Sequence, residues 1–160
     1  MYNQNEDTIK SLITQHQQKI FALVLYLVGQ DRDTAYDVCA SSFTEAIQES
    51  PHVEQEEALM IRLIGIAVEK CRNIKTIPTF DVIELLEISG AEKGQLLIVL
   101  KALQTLGFEL KVPLLLRYQF NLSYGNIATV MLVSESDARI KTAQACDQLE
   151  KKIGSILSND

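Results

Sequence analysis

Apolar side chains return at intervals of three and four residues almost from one end of this chain to the other, and residues that interrupt helices are scarce. There are three Pro and seven Gly in 160 positions. That interval is the period of one face of an α-helix, and strands would show alternation instead. Leu, Ile, Ala, Gln, Glu and Lys, all compatible with helix, fill the runs between the breaks. The expectation is an all-α protein.

The stripes divide the chain. Ile9, Leu12, Ile13, His16, Ile20, Leu23, Val24 and Leu27 predict a helix from about Asp7 to Val28, closed by Gly29. Thr34 and Asp37 resemble a capping box ahead of a second stripe, Ala35, Val38, Cys39, Ser42, Phe43, Ala46 and Ile47, which Pro51 ends. A third helix is expected over Gln55–Asn73, with Leu59, Leu63, Ile66, Ala67, Lys70 and Cys71 on one face and Glu54, Glu56 and Glu57 near its positive N-terminal end. Short connections make these three helices one antiparallel domain, residues 1–73. Residues 74–95 read as a linker with one short helical piece over Asp81–Ile88.

The second domain is placed at residues 96–160. Leu96, Leu97, Leu100, Leu103 and Leu106 form a stripe ending at Gly107. Leu114, Leu115 and Tyr118 mark a helix expected to start or kink at Pro113. Ser123 caps a short helix carrying Ile127, Ala128 and Met131. Ser134 and Asp137 form a Ser-x-x-Asp cap before Ala138, Thr142, Ala145, Leu149 and Ile153. Two helices joined at Leu132-Val133 read as a helix-turn-helix, a motif that serves both as a DNA reader and as a plain packing unit.

The formal net charge is −6, and it is uneven. Residues 1–73 carry 6 basic and 11 acidic groups, residues 74–95 carry 2 and 4, and residues 96–160 carry 7 and 6. An acidic chain does not coat nucleic acid non-specifically, so only the last third is suited to meet phosphates. The longest apolar run, Ile20–Val28, is too short to cross a bilayer, so no membrane insertion is expected and the chain reads as cytoplasmic. Cys39, Cys71 and Cys146 suit reduced core thiols, and His16 on an apolar stripe suits a half-buried, satisfied side chain. No phosphate loop, nucleophile elbow or metal-binding helix motif occurs, so neither enzymatic activity nor a cofactor is expected.

The order of segments resembles the two-domain extracytoplasmic-function sigma factors over nearly the whole chain. Leu27-Val28-Gly29-Gln30-Asp31-Arg32-Asp33-Thr34-Ala35-Tyr36-Asp37-Val38, then Phe43 and Ala46, is similar to that family's second region. The resemblance implies that Ala35, Asp37, Val38 and Phe43 bind the clamp of core RNA polymerase. Leu63, Ile66 and Ala67 resemble the segment leading to the surface that reads the minus-ten element, which implies Arg72 and Lys75 at DNA. Ala102-Leu103, Leu106, Leu115-Leu116-Arg117-Tyr118, Leu122-Ser123-Tyr124, Ile127-Ala128, Val133-Ser134 and Ala145 resemble the fourth region, which reads the minus-thirty-five element. Ser134, Glu135, Arg139 and Lys141 are its implied DNA-binding residues, with a solvated helix face as the alternative for Arg139 and Lys141.

Promoter DNA, core polymerase and an anti-sigma factor are the partners this likeness implies. Several positions depart from it. Arg62 stands where the family has Trp, Val68-Glu69 where it has Arg-Asn, and Gln144-Ala145-Cys146 where it has Arg-Ala-Arg. A Glu turned towards phosphate is repelled unless it reads a cytosine amino group. A sigma look-alike that binds an anti-sigma factor or polymerase without opening a promoter therefore stays open, as does a helical adaptor of similar architecture.

Overall fold

The computed structural model describes residues 2–28, 32–49, 55–74 and 93–158, and every regular element among them is an α-helix. The helices are α1 (Tyr2–Val28), α2 (Arg32–Glu49), α3 (Glu56–Arg72), α4 (Lys93–Gln104), α5 (Phe108–Tyr118), α6 (Tyr124–Met131) and α7 (Glu135–Ser158). The chain separates into two compact units, Met1–Ile77 and Pro78–Asp160. The expected all-α class is the class observed. Gly29, Pro51, Glu54 and the linker positions from Lys75 to Glu92, with the short helix expected there, lie outside the described residues.

In the first unit each of the three helices packs on the other two. The contacts run in opposite senses along neighbouring helices. Phe21 meets Tyr36 edge-on at 6.5 Å, Glu49 bonds Arg62, and Glu45 lies 2.9 Å from Lys70, so α1, α2 and α3 alternate in direction. Leu23, Val24 and Leu27 of α1, Ala35, Val38 and Phe43 of α2, and Leu63, Ile64 and Ala67 of α3 are all buried where the three helices pack. Burying a Leu or Ile side chain contributes about 1.5–3 kcal/mol, so this interior, not helix propensity, holds the unit together.

Two helix starts and one buried face differ from the sequence expectation. α1 begins five residues earlier, at Tyr2. α2 begins at Arg32, so Thr34 lies inside its first turn and not at its cap. The buried face of α3 is Leu59, Leu63, Ile64, Ala67, Val68 and Cys71, while Ile66 and Lys70 are only half-buried. Both faces are consistent with a 3.6-residue period, and which one turns inward is decided by the partners α1 and α2.

In the second unit α7 is the central element and packs against α4, α5 and α6. Leu106, Leu114 and Ala145 form a buried cluster, joined by Leu103, Leu110, Cys146 and Leu149. Helix α5 starts at Phe108, well before Pro113, and continues through it, with Pro113 itself buried. A proline there removes one backbone bond but leaves the helix ends free to be fixed by packing, and Val112, Leu114, Leu115 and Leu116 are all buried around it. Among the described residues no helix is long and apolar enough to cross a membrane.

Candidate nucleic-acid interface

The helix-turn-helix is built by caps that the sequence carries. Ser123 sits in extended backbone before α6, and its hydroxyl accepts a hydrogen bond from Asn126 N at 3.1 Å. Ser134 repeats the arrangement before α7, accepting from Asp137 N at 3.1 Å. Each satisfies one of the donors that a helix start leaves without a partner. Between the helices lies a three-residue turn, Leu132 to Ser134. Leu132 takes left-handed backbone angles, φ 58 and ψ 44, and Val133 N returns to Ala128 O at 3.1 Å. The turn thus closes α6 as a left-handed cap does, with a leucine where glycine is usual.

Helix α7 buries Ala138, Thr142 and Ala145 and turns Glu135, Ser136, Asp137, Arg139, Ile140, Ala143, Gln144 and Asp147 outwards. The Thr142 hydroxyl donates to Ala138 O at 2.7 Å, which lets this polar residue sit in the interior. Arg139 is 59% exposed in its side chain and bonds Glu135 at 2.9 Å, one turn earlier. Its guanidinium also lies over the Tyr124 ring, 4.6 Å from the centroid. Arg117 of α5 lies over the same ring at 4.6 Å and donates to Leu122 O at 2.9 Å. A single tyrosine at the start of α6 therefore joins α5 to the outer face of α7.

Lys141 differs from Arg139. It is half-buried and reaches Glu109 of α5 at 3.9 Å, so its charge faces the body of the unit. The first turns of α7 carry two exposed carboxylates, Glu135 and Asp137, beside one guanidinium, while two turns further on Asp147 pairs with Lys151 at 3.0 Å and Lys152 is exposed. Of the four residues expected at DNA in this unit, Ser134 serves the cap, Glu135 and Arg139 form one pair, and Lys141 of α7 is turned towards Glu109 of α5. Lys111, also on α5, is buried, and burial lowers its pKa.

In the first unit Arg62, Lys70 and Arg72 also have acidic neighbours. Arg72 bonds Glu69 at 3.2 Å, Lys70 bonds Glu45, and Arg62 bonds Glu49. Lys75 lies outside the described residues. Of the positions implied for polymerase contact, Ala35, Val38 and Phe43 are buried and Asp37 is exposed. Phe43 also lines a groove of about 550 Å³ between α1 and α2, with Phe21, Tyr36, Cys39 and Ile47, and Tyr36 is 69% exposed beside it. A partner approaching α2 from outside meets Tyr36 and Asp37 before it meets Ala35 or Val38.

The remaining titratable groups suit packing. Burial pushes the Cys71 thiol up to about 12 and raises Cys39 as well. His16 is half-buried with Glu56 at 3.6 Å. Among the described residues no group of three His, Cys, Asp or Glu side chains could hold a metal ion. Sequence reasoning did not single out Arg117 or Tyr124 as members of the site. Their seven-residue separation on either side of a turn carries no periodic signal, although an Arg-Tyr and a later Tyr flanking a capped helix are the residue types from which a stacked arginine is made.

No protein-family model matches the chain, and no curated protein matches it.

Proposed function

We propose that this protein is a sigma-type promoter-recognition subunit of the extracytoplasmic-function class, acting in the cytoplasm as part of an RNA polymerase complex and without enzymatic activity of its own. The observation that carries the reading is the capped pair α6–α7: Ser123 and Ser134 close two helix starts, a three-residue turn joins them, and Arg139 stands on the outer face of the second helix. That is the form of a DNA reader whose second helix enters the major groove. The order of the two helical units and the resemblance of their segments support the same reading.

The charge of that face sets a condition. With Glu135 and Asp137 beside Arg139 and with Lys141 on Glu109, the start of α7 has little to neutralise phosphates by itself. The DNA contact therefore depends on core polymerase, which brings the unit to promoter DNA. Tyr36 and Asp37 on the exposed side of α2 are the groups available to that enzyme.

The same charge favours a second reading, in which a sigma-like protein occupies polymerase or an anti-sigma factor without opening promoters. Purified protein is tested for binding to core polymerase and then for run-off transcription on fragmented genomic DNA. Discrete transcripts that disappear with Arg139→Ala support the first reading. Stable polymerase binding with no transcript selects the second, and failure to bind polymerase rejects the first.

A further inference from the structure

Within the helix-turn-helix unit, the geometry points to Tyr124 as the positioning residue that presents the Arg139 guanidinium to DNA phosphate, with Arg117 as its support from α5. This rests on the DNA-reading function proposed above and adds to it a residue that touches no nucleic acid. An arginine on an exposed helix face samples many rotamers and loses that freedom when it binds. Here two contacts already restrict it: the ring of Tyr124 at 4.6 Å and the carboxylate of Glu135 at 2.9 Å.

The two contacts differ in what happens at a phosphate. A phosphate replaces Glu135, because both bind the guanidinium edge through its N–H groups. The aromatic face does not compete, since a cation lies over it while the edge stays available for hydrogen bonds. Tyr124 is itself held. Arg117 lies over its ring at 4.6 Å and is tied to the backbone at Leu122 O, and Ser123 fixes the first turn of the helix that carries it. The stack therefore persists when Glu135 is displaced, and Arg139 meets the phosphate already oriented.

A positioning residue and a charge-bearing residue leave different marks on salt dependence. Loss of one phosphate contact lowers the slope of log K against log salt by about 0.9, whereas loss of orientation weakens binding and leaves the slope unchanged. The test is a fluorescence titration of the full-length protein, alone and in complex with core polymerase, against a labelled duplex that yields a run-off transcript, at several salt concentrations.

Tyr124→Leu is expected to weaken binding about two- to fivefold with the slope of the unaltered protein, from the size of an exposed cation–π contact. Tyr124→Phe keeps the ring face and is expected to bind as the unaltered protein does. Arg139→Ala is expected to weaken binding and to lower the slope. Arg117→Lys keeps the charge, removes the planar stack and is the second variant, expected to behave as Tyr124→Leu does. Thermal melts accompany each variant, and the comparison is made on those that stay folded at the assay temperature.

Equal affinity for Tyr124→Leu, Arg117→Lys and the unaltered protein, with Arg139→Ala still defective, overturns the positioning role and leaves the DNA-reading function standing. A Tyr124 variant that also lowers the slope overturns it too, because the ring would then be acting on charge and not on orientation. Absence of any duplex binding by the unaltered protein, alone and with polymerase, overturns the DNA-reading function together with this inference.

Discussion

Leu132 offers a test of the helix-turn-helix geometry that is independent of any partner. Its φ of 58 lies where an L side chain is disfavoured by about 1–2 kcal/mol. The residue is 84% exposed, so truncation forfeits only a small fraction of a leucine's burial, about 0.4 kcal/mol. Ala keeps the strain and loses that contact. Gly relieves the strain, loses the same contact and adds about 0.4–1 kcal/mol of chain entropy to the unfolded state.

The difference between the two variants isolates the backbone, and it favours Leu132→Gly over Leu132→Ala by about 0.5–1 kcal/mol. For a unit of this size that is about 2–8 °C in the midpoint of its thermal transition, read by circular dichroism on the full-length protein. Thr129, exposed inside α6, supplies the opposite sign. There Gly is expected to be less stable than Ala by about 1 kcal/mol. A Leu132→Ala protein as stable as Leu132→Gly, or more so, would refute the left-handed turn and with it the entry of the chain into α7.

Three other outcomes are expected. Ser134→Ala removes the acceptor for Asp137 N and lowers stability by about 1 kcal/mol in urea titration, and Ser134→Asp restores most of it. Leu63→Ala, at a fully buried position of α3, costs about 2–5 kcal/mol and lowers the temperature at which the first unit unfolds, read by circular dichroism. Cys71 is protonated in the native state well beyond the pH at which an unfolded thiol ionises, from an ordinary value of 9.0 up to about 12. Its contribution is intact below pH 9 and is lost at about 1.4 kcal/mol per unit as pH rises towards 12. Cys39 and Tyr26, also raised by burial, act in the same direction, so Cys71→Ala flattens the alkaline fall in urea midpoint without abolishing it.

Much of the fold is legible because its signals are local. The caps at Ser123 and Ser134 require only a short polar side chain ahead of a helix, and the end of α4 follows from Thr105 to Gly107, where the periodic leucines stop. What fails to show is what depends on partners in space. Ile64 and Val68, not Ile66 and Lys70, turn inward because α1 and α2 arrive from that side. The turn at Leu132-Val133 is legible between its helices, but its left-handed backbone is not, since no glycine announces it and the bond from Val133 N to Ala128 O closes it instead. Lys141 and Arg139 are two residues apart and look alike in sequence, yet one faces Glu109 on another helix and the other faces outward onto Tyr124. Helix period separates their directions, and only the packing of α5 against α7 gives each its neighbour.

The contrast between those two cations bears on how a weakly basic reader can work at all under the proposed function. Each phosphate contact contributes a fixed increment to affinity and to its salt dependence, and the first turns of α7 offer Arg139 against the carboxylates of Glu135 and Asp137. An isolated unit of that kind stays at or below ordinary non-specific affinity, about 10⁻⁴ M at physiological salt. Tethering changes the comparison, because a unit held beside DNA by a larger partner sees it at an effective concentration of about 1 mM, and a contact of 10⁻⁴ M is then mostly occupied. Under the proposed function, Glu135 and Asp137 on the outer face of α7 would also disfavour occupancy of DNA without the partner. Restoring cations on that face, as in Gln144→Arg, is accordingly expected to raise DNA binding by the protein alone several-fold and to steepen its salt dependence by about one counterion, while run-off transcription by the polymerase complex, already near saturation at its promoter, changes much less. A parallel rise in both would show that tethering does not supply the missing affinity.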